Sequence, residues 1–188
     1  MKLPFHILLL SLFLFLATIS TASAQRDPTS LKAGVSFVWL SDYDSQGLMF
    51  SNKLSHYFTK NITVGMNVGL LSAFRYDDLK EIYSVQNTFL MATLEGSIDM
   101  INNESVIFRV GGGPGVRYRA EINSDAEDTG TVDGSVIHIK SNDFGFNGYL
   151  ENDFNILRNG VAGGRIDYFY YTSGTPVLAL GFHIGFKF

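Results

Sequence analysis

The sequence predicts an all-β protein, an eight-stranded antiparallel up-and-down barrel that spans a membrane, and three observations carry that prediction. Apolar residues recur with period two over eight stretches. Nothing after Ala24 is a continuous apolar run long enough for a transmembrane helix, although 46% of the residues are hydrophobic. The polar breaks between the stretches alternate between short and long, as an up-and-down barrel with two unlike rims requires. In hydrocarbon every backbone polar group must be paired within the protein, so a membrane-spanning set of strands has to close.

The chain starts as an exported precursor does. Lys2 supplies a positive start, residues 7–17 are almost wholly apolar, and Ala22-Ser23-Ala24 offers a small-x-small cleavage site. Residues 1–24 are expected to be a cleaved signal peptide, with residues 25–188 forming one outer-membrane barrel domain. The apolar core of the leader is nearer the length of a signal peptide than the 20 or so residues of a helical anchor. Without the leader, 13 basic residues face 18 acidic ones, a net charge of −5 that argues against a nucleic-acid partner. There is no cysteine, which excludes disulfides, thiolate-bound metal and lipid attachment through cysteine.

Taken in order, the first stretch, residues 31–40, turns Val35, Phe37 and Trp39 outward, and the second, 48–58, does so with Leu48, Phe50, Leu54 and Phe58. The third, 62–76, sets Ile62, Val64, Met66, Val68, Leu70 and Phe74 against Thr63, Gly65, Asn67, Gly69, Ala73 and Arg75, with Leu71 as its one large inward exception. The fourth, 88–100, opposes Leu90, Leu94 and Ile98 to Thr93, Glu95 and Asp99. In the fifth, 106–122, Phe108, Val110, Val116, Tyr118, Ala120 and Ile122 oppose Arg109, Arg117, Arg119, Glu121 and the glycines Gly111, Gly113 and Gly115. An Arg facing lipid at the midplane costs roughly 2–4 kcal/mol, so this second face must turn inward. Pro114 lies on the apolar face and has no N–H to donate, which predicts a bulge or ladder defect there.

The sixth and seventh stretches, 144–154 and 161–172, place Tyr149, Glu151, Asp153, Arg165 and Asp167 on their inner sides. The eighth, 176–188, is the clearest: Leu178, Leu180, Phe182, Ile184, Phe186 and Phe188 share one face, and Val177, Ala179, Gly181, His183, Gly185 and Lys187 the other. The short breaks are 59–61, 101–105 and 155–160, and the long ones 41–47, 77–87 and 123–143; the last turn, around 173–175, is tight. An even strand number puts both termini and the short turns on the periplasmic side. Trp39, Tyr43, Tyr57, Phe58, Tyr76, Tyr83, Tyr118, Tyr168 and Tyr170 lie toward strand ends, where aromatic girdles meet the interfaces, although strands are rich in aromatics in any setting.

Eight strands enclose an interior just wide enough for side chains to fill. The inward glycines leave space into which Arg75, Arg109, Arg117, Arg119, Arg165 and Lys187 reach toward Glu95, Asp99, Glu121, Glu151, Asp153 and Asp167. The expectation is a packed polar interior with no open pore.

With these residues in view, the chain resembles the small outer-membrane barrels, the group of the OmpA membrane domain, OmpX and OmpW. The resemblance is one of pattern over nearly all of residues 25–188, and its most specific part is Phe182-His183-Ile184-Gly185-Phe186-Lys187-Phe188. In that family a last strand with alternating apolar residues and a terminal aromatic is the signal read by the barrel-assembly machinery. The resemblance therefore implies an assembly role for Phe182, Ile184, Phe186 and above all Phe188. It also implies outer-membrane lipid and lipopolysaccharide as surroundings. A monomer is expected.

Candidate chemistry is sparse. A lipid A deacylase of the PagL kind carries His and Ser two apart on one strand, whereas His56, His138 and His183 are followed at that spacing by Phe58, Lys140 and Gly185. His56 shares parity with Leu54 and Phe58 near a short turn and is expected at an interface, and His183 points inward as a structural histidine. His138, near Lys140 and Asp143 in the expected longest loop, is the one histidine placed for chemistry. Asp125, Glu127, Asp128 and Asp133 form a carboxylate cluster of the kind hard cations favour, but their spacing lacks the regular calcium-loop pattern and reads as a solvated acidic surface. Gly111-Gly112-Gly113-Pro114-Gly115 has the composition of a phosphate loop without its Lys-Ser/Thr or a following helix, so the glycines are read as steric. No catalytic residue, metal site or cofactor is assigned.

The resulting expectation is a non-enzymatic outer-membrane barrel with a role in membrane integrity or in surface contacts through its acidic loops. The alternatives are a lipid-modifying enzyme, a conduit for small apolar solutes and a secreted lipocalin-like barrel. The last has apolar residues inside, and its Gly-x-Trp near the first strand is missing here, since Gly34 and Trp39 are too far apart.

Overall fold

The computed structural model describes residues 29–41, 45–77, 82–123, 137–156 and 159–188. The leader expected at residues 1–24, Tyr43 and the acidic residues Asp125, Glu127, Asp128 and Asp133 lie outside them. Eight strands follow one another: β1 (Thr29–Leu40), β2 (Ser45–Tyr57), β3 (Ile62–Asp77), β4 (Ile82–Asn102), β5 (Val106–Asn123), β6 (Ile137–Asn155), β7 (Gly160–Tyr171) and β8 (Val177–Lys187). Each pairs antiparallel with its neighbours in sequence, and β8 pairs with β1 to close the barrel. Closure runs to the chain terminus: Phe188 N–H donates to Thr29 O at 2.8 Å, and Thr29 N–H donates to Phe188 O at 3.1 Å.

The alternation read from the sequence fixes which side chains face out. Along β8 and at Phe188 just after it, every even residue from Leu178 to Phe188 is exposed, and Val177, Ala179, Gly181, His183 and Gly185 are buried. At about 3.3 Å per residue and a tilt of roughly 40°, that exposed apolar row spans about 25 Å, the height of the apolar band on outer-membrane barrels.

Pro114 acts as its missing N–H requires. It pairs with Phe146 on the β6 side, but β4–β5 pairing lapses between Thr93↔Gly115 and Gly96↔Gly112 and resumes in the same register. The register shift in this ladder lies lower, between Asp99 and Ile101. Most strand boundaries fall within two residues of expectation, but β2, β4 and β6 start at Ser45, Ile82 and Ile137, well inside segments read as long loops. Outward residues such as Lys140 and Asn142 are polar there, so the alternation of polarity fades while backbone pairing continues. Tyr57 also departs from its expected place in a girdle, because its odd position on β2 turns it into the barrel.

Candidate functional site

Register builds the interior. In four adjacent strands Asp99, Arg109, Glu151 and Arg165 stand directly opposite one another, a row of alternating charge around half the wall. From the opposite wall Lys32 and Lys53, themselves cross-strand neighbours, reach into the same layer. Glu151 is the hub, with Lys32 Nζ at 2.7 Å, Lys53 Nζ at 2.9 Å, Arg165 Nη1 at 3.0 Å and Arg109 Nη1 at 3.2 Å. Lys32 Nζ also lies 2.5 Å from Asp153, and Lys53 Nζ 3.2 Å from Glu95. Arg165 forks onto Glu95 and Asp167, both at 2.6 Å.

Aromatic residues complete this layer. The Tyr149 ring lies between the Lys53 ammonium at 4.2 Å and the Arg165 guanidinium at 3.8 Å. Tyr57 donates to Asp99 at 2.9 Å and accepts from Arg109 at 3.0 Å. Two glycines set the geometry. A Cβ on Gly111 would stand 2.6 Å from both the Tyr149 ring and Ser97 Cβ, so the glycine run is steric, as expected. A Cβ on Gly163 would stand 1.9 Å from Asn152 O and 2.9 Å from His183 Nε2, and Gly163 lies between His183 and Asp153 in the register. That gap lets His183 Nε2 reach Asp153 at 2.6 Å.

Glu151, Asp153 and His183 place ligand atoms within 4.8 Å of one another, a spacing that would suit a metal ion. Lys32 Nζ already bridges the two carboxylates, and Arg109 contacts both. The positive charge a metal would supply is provided by the chain.

Above the ionic layer, toward the long-loop end, the interior is apolar. Val38, Leu40, Met49, Leu71, Ala73, Phe89, Met91, Phe169, Tyr171, Val177 and Ala179 form one buried cluster. The wholly polar interior expected from the sequence is corrected here. Leu71, read as an isolated exception, belongs to a layer, because β1, β4 and β7 carry large apolar residues on both faces at this height.

Arg117 caps that layer. It donates to Asp143 Oδ2 from Nε at 3.1 Å and from Nη2 at 2.9 Å, to Ser173 O at 2.6 Å and to Thr175 O at 3.0 Å. Its guanidinium lies 4.6 Å from the Phe89 ring centre and 4.2 Å from that of Tyr171. Ser173 Oγ donates to Asp143 as well. The β7–β8 turn is thereby held against the barrel mouth, with Gly174 at φ 74°, where an added Cβ would meet both Arg117 and Arg119.

The residues singled out in the sequence divide between these layers. Glu95, Asp99, Arg109, Glu151, Asp153, Arg165 and Asp167 come together in the ionic layer. Arg117, Arg119 and Glu121 stand apart near the mouth, with Arg119 Nη1 3.7 Å from Glu121. Lys187 donates to Asn155 at 2.6 Å at the opposite rim, and Arg75 is half-buried high on β3. Sequence reasoning misses Lys32 and Lys53 and places Tyr57 in a girdle and Asp143 in a loop, although inward parity marks each of them. His138 and Lys140 are exposed, while Asp143 is buried against Arg117, so the grouping of His138 with Asp143 is corrected: they face opposite ways. His56 bonds Thr29 Oγ1 through Nδ1 at 2.9 Å on the outer face at the short-turn end.

A second feature lies beyond the mouth. β4, β5 and β6 have 21, 18 and 19 residues, against 11 to 13 in β1, β2, β7 and β8. Pairing of β6 with β7 starts at Gly145↔Tyr171, and Thr172 N–H donates to Phe144 O, whereas pairing of β6 with β5 runs on to Ile137↔Asn123. Among the described residues, the upper part of β6 is therefore a sheet edge. By strand alternation, the backbone groups of His138, Lys140 and Asn142 face away from β5.

No protein-family model matches the chain, and no curated protein sequence matches it. Solved structures do. Neisserial surface protein A is 10% identical, with 85% of this chain aligned to 97% of that one at a TM-score of 0.60. A major outer membrane protein from Thermus thermophilus is 12% identical, with 85% aligned to 99% at 0.60. Ail, the attachment invasion locus protein of Yersinia pestis, is 14% identical, with 86% aligned to 97% at 0.54. Closed by β8 on β1 and filled by its own side chains, this chain has the fold of the small eight-stranded outer-membrane β-barrels.

Proposed function

We propose that the chain is a non-enzymatic outer-membrane protein that acts through surface contacts made by the projecting β4–β6 sheet and the loops above it. The carrying observation is that three strands run past the barrel mouth and, among the described residues, leave the β6 edge open, while the channel beneath is filled by the Arg117 cap, the apolar layer and the ionic layer. A filled barrel offers no route for a solute, and an extended sheet edge is a template for an incoming strand. Two of the structural neighbours are themselves named as a surface protein and an attachment protein. In this reading the chain is a monomer in outer-membrane lipid and lipopolysaccharide, delivered by a cleaved leader and assembled through its terminal Phe188.

Membrane fractionation with heat-modifiable gel mobility tests the placement: recovery in the soluble fraction without detergent overturns it. Deleting Phe188 is expected to lower assembly into the membrane, and unchanged assembly would remove that role. Replacing residues 120–140 by a short turn tests the contact role. The expected result is a folded barrel that no longer supports attachment of the producing cells to a host-cell or matrix surface. Equal attachment by the shortened and the full protein would refute it.

A further inference from the structure

Above the barrel mouth β6 is backed on one side. Its pairing with β5 runs on to Ile137↔Asn123, and β5 is in turn held by β4 up to Val85↔Asn123, whereas pairing with β7 stops at Gly145↔Tyr171. At the foot of this segment Thr172 N–H donates to Phe144 O, and Arg117 fixes the β7–β8 turn by donating to Ser173 O and Thr175 O. Residues 137–143 thus form a supported edge about 20 Å long at roughly 3.3 Å per residue, the length of an ordinary strand. Among the described residues, the N–H and C=O groups of His138, Lys140 and Asn142 point out from it with no strand to meet.

The two faces of the edge differ in chemistry. The outer face carries His138, Lys140 and Asn142, all exposed, so it has a cation and no carboxylate. The inner face carries Ile139 and Ser141, both half-buried, and the buried Asp143. The neighbouring carboxylates, Asp143 and Glu121, turn inward, Asp143 onto Arg117 at 2.9 Å, and Arg119 beside them donates to Ser141 Oγ at 3.3 Å. A strand laid on this edge therefore meets Lys140 with its outward residues and Ile139 with its inward ones. A second copy paired antiparallel about Lys140 would set two lysines face to face, which disfavours the chain as its own occupant.

We infer that the upper β6 edge binds a partner protein by strand addition, and that the added strand alternates acidic and apolar residues, acidic beside Lys140 and apolar beside Ile139. The inference rests on the surface-contact role proposed above and names the chemistry of the contact. In strand addition, main-chain hydrogen bonds supply affinity and alternate side chains supply selection. Here charge selects on the water-facing side, and burial selects on the side that overhangs the mouth.

The test is nuclear magnetic resonance of the full barrel in phosphatidylcholine nanodiscs, titrated with a seven-residue peptide of alternating glutamate and valine, blocked at both ends, and with its lysine and valine counterpart. Without peptide, the amide protons of His138, Lys140 and Asn142 are expected to exchange quickly with water, and the glutamate peptide to slow each of them at least tenfold. The lysine peptide is expected to bind at least tenfold more weakly. Lys140→Glu should reverse that preference. Asn142→Pro, which deletes an edge N–H that points away from β5, should weaken binding of the glutamate peptide at least tenfold. Gln46→Glu, exposed on β2 across the barrel, should leave binding unchanged. Replacing Asp125, Glu127, Asp128 and Asp133 by their amides should strengthen it, since they carry the sign of the probe. Heat-modifiable mobility establishes that each variant is folded. Slow exchange before peptide is added, no protection by the glutamate peptide, equal binding of the two peptides, a preference that Lys140→Glu does not reverse, or full binding by Asn142→Pro overturns the inference. Attachment that persists when residues 120–140 are replaced counts against the contact role alone, and attachment that is lost while the two peptides bind alike counts against the acidic strand alone.

Discussion

Glu151→Gln keeps the size of the side chain and one acceptor oxygen but removes the charge shared by four cations. If its four contacts acted independently, at about 1.5–3 kcal/mol for each charged hydrogen bond, the loss would be roughly 6–12 kcal/mol. The geometry argues for less, because every cation keeps a second carboxylate: Lys32 keeps Asp153, Lys53 keeps Glu95, Arg165 keeps Glu95 and Asp167, and Arg109 keeps Asp99 and Asp153. The cost should therefore sit at the lower end of the range for a broken buried pair, about 3 kcal/mol. Trp39, the single tryptophan and exposed on the membrane face of β1, reports urea-induced unfolding of the barrel refolded into lipid vesicles. Combining Glu151→Gln with Lys32→Met measures how much of the loss runs through that pair. A loss under about 1 kcal/mol would show that Glu151 is not the hub, and one above about 6 kcal/mol would show that the remaining carboxylates do not compensate.

Gly163→Ala should impair assembly as read by heat-modifiable mobility, because its Cβ meets Asn152 O at 1.9 Å, whereas Gly164→Ala should assemble normally. Arg117→Ala should destabilise the barrel by about 3–5 kcal/mol by leaving the buried Asp143 carboxylate without its cation. The same variant in planar bilayers should still show no ion conductance, because the apolar layer below the cap remains, and a stable open channel would refute the layered interior. Lys140→Val should raise the dimeric fraction seen by chemical cross-linking in detergent, and an unchanged monomer would show that this lysine does not guard the edge.

What the sequence made legible followed from how strongly each strand separates bulk from polarity. In β5 and β8, arginines and glycines face large apolar residues, so the register of the two faces is unambiguous. In the upper halves of β1 and β4 both faces are apolar: Val38 and Leu40 lie inside against Phe37 and Trp39 outside, and Phe89 and Met91 inside against Leu90. Period two survives there in direction but not in polarity, which hid the apolar layer. Lys32 and Lys53 have inward parity, yet each is the one charged residue of its strand and gains a partner only through closure of β1 on β8. The row Asp99, Arg109, Glu151, Arg165 depends on cross-strand register, which one strand's alternation does not specify. Asp143 reads as part of a loop because the outward residues before it, His138, Lys140 and Asn142, are polar.

The same fading of polarity marks where the protein meets water. Below that height, hydrocarbon forces apolar residues outward; above it, β4 to β6 are held by backbone pairing and by inward contacts such as that of Arg119 with Ser141, and their outer residues are free to vary. A sheet edge kept in water invites pairing with another copy, and natural edges oppose this with charge, most often lysine. Lys140 lies at the centre of the open segment of β6, where an antiparallel self-pair about that residue would set the two lysines opposite each other. The edge is therefore biased against its own kind while its backbone groups at His138, Lys140 and Asn142 stay available to a strand of different sequence, and an acidic strand would turn the same lysine from a barrier into a contact.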